Sequence, residues 1–153
     1  MNYNSPGQVV IAGNRAAVVR GMELAKTKGA KRAIMLPMSV PSHCILMEGA
    51  AEQLRDYLAG VTVQAPAIPV LHNDDVKSYS DGAMIKDALV RQLYSPVRWV
   101  ETVLEFGKQG ITHNAECAPG KVLAGLNKRI ATDQQSLAIN DGAALTLALA
   151  TLA

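Results

Sequence analysis

Aromatic residues are scarce, at 4% of the 153-residue chain, so any core must be assembled from Ala, Val, Leu, Ile and Met. Long apolar runs are missing too. None approaches the roughly 20 residues that a membrane-spanning helix needs. The first residues, MNYNSPGQ, contain neither a basic stretch nor an apolar one, which argues against a secretory signal. Cysteine is limited to Cys44 and Cys117, neither in a CxxC pair, so a disulfide framework is excluded and a reduced, cytoplasmic setting is expected. Lys and Arg form no long block and do not interleave with aromatics, and the net charge is only +2, so nucleic-acid binding has no support. The densest basic segment, Lys28 to Arg32 (KGAKR), reads as cations at a helix C-terminus or as a docking point for an acidic partner. Gly-rich phosphate loops, G-x-S-x-G elbows and H-E-x-x-H pairs are all absent.

What is present is globular in balance, with 49% apolar and 18% charged residues, and long enough for one real core. Gln8 to Ala12 (QVVIA) follows Pro6-Gly7 and reads as a strand. Asn14 is placed to cap a helix with Val18, Met22 and Ala25 inward, ended by Gly29. Arg32 to Val40 reads as a second strand. A helix after it would bury Leu46, Ala50, Leu54, Tyr57 and Leu58. Ala67 to Leu71 (AIPVL) has the composition of a buried strand. The next helix carries Ile85, Ala88, Leu89 and Leu93 on one stripe, with Gln92 among them. Ser95-Pro96 looks like a helix restart, with Trp99, Val103 and Phe106 inward. Ile111 to Cys117 is a weak strand, followed by a helix predicted to bury Val122, Leu123, Leu126 and Ile130. A short strand at Leu137 to Ile139 and an alanine-rich helix complete the chain. The class is α/β.

Three histidines are the candidates for chemistry. His72 precedes Asn73-Asp74-Asp75, a grouping that suggests a metal site, but adjacent residues on an extended segment face opposite ways. No other His, Cys or Glu set has ligand spacing, so no metal is expected. His113 lies inside the weak strand. His43 stands apart, because it follows a proline-punctuated strand in LPMSVPSHCILM, and α/β sheets place chemistry at strand C-termini. A histidine acting as a base needs a nucleophile, and Cys44 cannot serve because neighbouring side chains diverge. From the residues alone, both a structural and a catalytic His43 stand.

Four collinear motifs change the weighting. NSPGQVVIAG (Asn4 to Gly13), VPSHC (Val40 to Cys44), ALVRQLYSPVRW (Ala88 to Trp99) and CAPGKVLAGL (Cys117 to Leu126) closely resemble the bacterial malonyl-CoA:acyl carrier protein transacylases of type II fatty acid synthesis. The likeness runs over nearly the whole chain but covers only the C-terminal half of such an enzyme. It implies the rear part of an α/β-hydrolase-like large subdomain, residues 41–153, and the second half of a ferredoxin-like small subdomain, residues 1–40.

By the same resemblance His43 corresponds to the catalytic base and Gln92 to the residue whose main-chain carbonyl orients it. Ser42 matches a position that varies with acyl specificity, and Asn4 and Gln8 match residues near the acyl pocket. The resemblance implies transfer of malonyl from CoA to the phosphopantetheine thiol of acyl carrier protein through a serine ester, with no cofactor beyond those substrates. The serine elbow, the carboxylate-binding arginine and the oxyanion glutamine have no counterparts, so the chain alone is expected to be inactive and to need its missing N-terminal half or to self-associate. The alternative is a non-catalytic α/β module that binds acyl carrier protein or a partner half. Two departures from the family pattern stand out: Ala118 where Gly is usual, and the polar Thr112-His113-Asn114 in a strand that is normally apolar, which suggests a weaker central sheet or a divergent member.

Overall fold

Pro6-Gly7 starts the architecture. Gly7, at φ +75°, takes the left-handed conformation that a tight turn demands, and the turn joins β1 (Asn2–Ser5) to β2 (Gln8–Val10) in a two-stranded sheet. The computed structural model describes residues 1–117 and 119–152; Ala118, where the sequence departs from the family pattern, lies outside them. The chain then forms α1 (Arg15–Thr27), a single 3₁₀ turn (Ile45–Met47), α2 (Glu48–Ala59), α3 (Gly82–Tyr94), α4 (Trp99–Lys108), β3 (His113–Glu116), α5 (Val122–Ile130), β4 (Gln135–Ala138) and α6 (Gly142–Leu152). Two compact units divide it: Met1–Asn2 with Val10–Val97, and Tyr3–Val9 with Arg98–Ala153.

In the first unit α2 packs on α3. Ala51 on one helix and Ala88 and Val90 on the other are fully buried, and small residues let helix backbones approach closely. The sheltered stripe of α2 is Met47, Ala51, Leu54 and Leu58. Of the expected set, Leu46, Ala50 and Tyr57 are exposed, because the helix is rotated by about one position from the predicted phase. α1 shelters Val18, Met22 and Ala25 as predicted, although its N-cap Asn14 makes no side-chain capping bond. The expected strands at 32–40 and 67–71 do not form. Apart from an isolated bridge between Leu71 and Ser78, neither run is paired, and apolar residues including Ile34, Met35, Leu36, Ile68 and Val70 are exposed. Composition alone does not make a strand; an adjacent chain must supply the other half of each backbone hydrogen bond.

The loop between α2 and α3 is tied down by charge. Arg91 of α3 donates from Nε to Asp74 (2.8 Å) and from Nη2 to Asp75 (2.9 Å), and it also pairs with Asp87 one turn back. The Tyr79 hydroxyl donates to Asp75 at 2.5 Å. The two aspartates of the suggested metal grouping therefore face an arginine. Val76 sits at φ +61°, an outlier for a β-branched residue, and its N–H donates to the His72 carbonyl at 2.9 Å.

The second unit contains a parallel β3–α5–β4 unit, with His113 opposite Gln135 and Glu116 opposite Ala138. The helix after Ser95-Pro96 starts later than predicted, at Trp99, because Ser95 serves as the C-cap of α3. α4 buries Val103 and half-buries Trp99 and Phe106 as expected. In α5 the inward residues are Ala124, Leu126 and Asn127, whereas Val122 (70% exposed) and Leu123 point outward, so that helix too is rotated from its predicted phase.

The buried Asn127 explains the polar strand. The Trp99 indole N–H donates to Asn127 Oδ1 (3.0 Å), and Asn127 Nδ2 donates to Asn114 Oδ1 (2.8 Å). Ser136 donates to the same Asn114 oxygen (2.7 Å), and Asn114 Nδ2 donates to Gln134 (3.0 Å). Gln134 in turn donates to the Val103 carbonyl (3.2 Å). Asn114 is the hub of a side-chain network that cross-links α4, α5 and β4.

Two outcomes follow from these ties. Asn114→Ala strands the Asn127 amide, the Ser136 hydroxyl and the Gln134 carbonyl at once, and should cost about 2–3 kcal/mol. Urea unfolding followed by the fluorescence of the single tryptophan measures it; a loss below about 0.5 kcal/mol would show that water replaces the network. For Asp75, burial pushes the carboxyl up, but the Tyr79 hydroxyl, the Lys77 amide and the Arg91 charge outweigh it and hold the group below its usual 3.8. Because the folded value lies below the unfolded one, this stabilisation is complete above the unfolded carboxylate range and is lost as pH falls through the folded value. Asp75→Asn should therefore be less stable than the parent at pH 7, with the gap closing on acidification. A gap that stays constant in thermal melts down to about pH 2.5 contradicts this assignment.

Candidate functional site

The candidate site is built on the end of α3. A helix leaves its last four carbonyls without intrahelical partners, and they must be satisfied from outside. The backbone N–H of Ser95 takes the Arg91 carbonyl at 2.9 Å. The next two carbonyls both go to one residue. His43 donates its ring Nδ1–H to the Gln92 carbonyl (2.8 Å) and its backbone N–H to the Leu93 carbonyl (3.0 Å).

That double attachment specifies the histidine. A carbonyl oxygen only accepts, so the bond places the ring proton on Nδ1 and leaves the lone pair of the neutral imidazole on Nε2. Nε2 has no protein hydrogen-bond partner among the described residues. On its other side the His43 carbonyl accepts from the Met1 amino nitrogen at 2.6 Å, and that nitrogen also reaches the Ser42 carbonyl at 3.2 Å.

His43 sits at φ +59°, in the left-handed region. Such a conformation costs on the order of 1 kcal/mol or more outside glycine and survives where several bonds hold it. Here the ring, the N–H and the carbonyl are each bonded. Cys44 turns away, its thiol donating to the Pro41 carbonyl at 3.1 Å. After it the Ile45–Met47 turn opens α2.

Of the residues singled out from sequence, Ser42, His43 and Gln92 are brought together in one unit, all half-buried. Asn4 and Gln8 flank the Pro6-Gly7 turn, Asn4 half-buried and Gln8 exposed. His113 accepts from or donates to the neighbouring Thr112 hydroxyl (2.9 Å) at the exposed start of β3. His72 packs its ring against Tyr79, with centroids 5.6 Å apart. The Leu93 carbonyl and the Arg91 cluster went unnoticed in the sequence. The signal available for Arg91 was its i,i+4 relation to Asp87.

Comparison with known proteins bears on this arrangement. No protein-family profile matches the chain. It is 54% identical over 149 residues to the malonyl CoA-acyl carrier protein transacylase of Salmonella typhimurium, covering 97% of this chain and 48% of that protein. It is 41% identical to the Bacillus subtilis protein of the same name, covering 99% of this chain and 48% of that protein. Among solved structures, the acyl-carrier-protein S-malonyltransferase of Burkholderia pseudomallei superposes with a TM-score of 0.96 at 53% identity, over 98% of this chain and 49% of that one. A malonyl-transacylase solved in complex with a type II PKS acyl-carrier protein gives a TM-score of 0.97 at 50% identity, over 99% and 49%. The chain thus spans about half the length of these relatives. In sequence and in fold it matches the C-terminal half of the malonyl CoA-acyl carrier protein transacylases.

Proposed function

We propose that this chain supplies the general base of a malonyl-CoA:acyl carrier protein transacylase whose nucleophilic serine lies in the other half of the enzyme. The observation that carries the reading is the bond from His43 Nδ1 to the Gln92 carbonyl, which leaves Nε2 free to accept a proton. In the intact enzyme Nε2 takes the proton of the serine hydroxyl as that oxygen attacks the malonyl thioester. The ring then returns the proton to the departing CoA thiolate. In the second half-reaction it deprotonates the phosphopantetheine thiol of acyl carrier protein, whose attack on the serine ester regenerates the hydroxyl. The α3 carbonyl that holds the ring keeps its orientation through each step.

Ser42, beside the base, and Asn4 and Gln8, on the hairpin, are assigned to the acyl pocket. Residues 1–40 are assigned to the small subdomain and 41–153 to the large one. The substrates are malonyl-CoA and phosphopantetheinylated acyl carrier protein, the chemistry requires no further cofactor, and the setting is cytoplasmic. No helix among the described residues is long and apolar enough to cross a membrane. The exposed apolar runs at 34–40 and 68–70 are assigned to contact with the other half, or with a second copy when that half is missing.

In a complete enzyme, made by joining this chain to the N-terminal half of a relative, His43→Ala should lower transacylation by about 100-fold or more, the contribution typical of a general base. Gln92→Ala should be far milder, since the bond uses its main chain; equal losses in steady-state assays would rule out the assignment of Gln92. The chain by itself should form no malonyl ester, because none of its serines lies in a G-x-S-x-G turn. Intact-mass measurement after incubation with malonyl-CoA checks this, and a stoichiometric adduct on a serine would defeat the reading.

A further inference from the structure

The Gln92 carbonyl is available to His43 for a reason that lies four residues on. In a continuing helix the carbonyl of residue 92 would accept from the backbone N–H of residue 96. Residue 96 is Pro, which has no N–H. Proline also disfavours the helical conformation in the residue before it, and Ser95 is extended, at φ −89° and ψ 152°. The helix therefore stops at Tyr94, Ser95 closes onto the Arg91 carbonyl, and among the described residues the Gln92 oxygen has no main-chain competitor. The Leu93 carbonyl is left open in the same way, since the N–H of Val97 donates instead to the Met1 carbonyl at 3.0 Å.

We infer that Pro96 is a positioning residue, which sets the tautomer and orientation of His43 by keeping the Gln92 carbonyl out of the helical hydrogen-bond ladder. Pro96 acts through the oxygen that it leaves unclaimed. Replacing it with alanine restores an N–H and lets Ser95 turn helical, so α3 can extend by a residue and draw the Gln92 carbonyl into its own ladder. The His43 ring then loses the acceptor of its Nδ1–H, and the proton can move to Nε2, the position from which the lone pair must act. The inference rests on the proposed base role of His43 only for its catalytic consequence; the tautomer is a property of the folded chain.

The test uses this chain joined to the N-terminal half of a relative, with ¹⁵N-labelled histidine. The His43 signals are assigned by their loss in His43→Gln. In the parent, two-bond ¹H–¹⁵N correlations should show neutral His43 as the Nδ1–H tautomer. In Pro96→Ala they should show a mixture containing Nε2–H. The same variant should lose roughly 10-fold in kcat with KM little changed, a fraction of the loss expected for removing the base itself, and the acid limb of its pH–rate profile should move. Ser95→Ala, which keeps the proline, should leave both readouts as in the parent. A parent enzyme with His43 as Nε2–H overturns the proposal without any variant. So does a folded Pro96→Ala that keeps the pure Nδ1–H tautomer. A tautomer shift with unchanged kcat would leave Pro96 as the device that positions the ring while removing His43 from the chemistry, so the two readings fail separately.

Discussion

Everything around the candidate site depends on the unsatisfied carbonyls at the end of α3. A helix terminus in a half-buried place cannot leave them bare without a cost of about 1–3 kcal/mol each, and the nearest continuation of the chain cannot serve both, because it is Ser95-Pro96. His43 answers with two donors from a single residue, one on the ring and one on the backbone. It makes both bonds in the left-handed conformation, at φ +59°.

The second unit solves a different problem with the same chemistry. With so few aromatics, its buried apolar residues are the aliphatic Val103, Ala124, Leu126, Ala131 and Ala148, which alone give many near-equivalent packings. A chain of amides and hydroxyls from Trp99 through Asn127, Asn114 and Gln134 to the Val103 carbonyl fixes one of them. Each buried member has a partner, and a fully satisfied network of this kind specifies the register in which α4, α5 and β4 meet.

The helices were legible in the sequence, because a 3.6-residue period survives whatever the chain packs against. Their phase was less so. In α2 and α5 the predicted face differs from the observed one because a hydrophobicity pattern favours the large apolar Tyr57 and Val122, while the buried positions are held by Ala51, Ala124 and Asn127. Small and polar residues carry little signal in a hydrophobicity pattern. The strands at 32–40 and 67–71 failed for another reason: β-propensity records a fit to a pleated, half-buried surface, and that surface is made by neighbours. The His43–Gln92 pair, separated by 49 residues, has no local signature, and only the family resemblance linked them.

These unpaired runs and the well-formed histidine describe one molecule from two sides. Segments whose order requires a neighbouring strand, at 34–40 and 68–70, are exposed and irregular. The bond that orients His43 requires only α3 and the residue capping it, and it is formed. Both ends of the bond that orients His43 belong to the same compact unit, and so does the proline that frees its acceptor. A catalytic base is effective when its tautomer and direction are set before substrate arrives, by groups that do not have to reorganise during the reaction. In the proposed enzyme the serine would then meet an imidazole already carrying its lone pair on the required nitrogen, and the other half would contribute the nucleophile without having to shape the base.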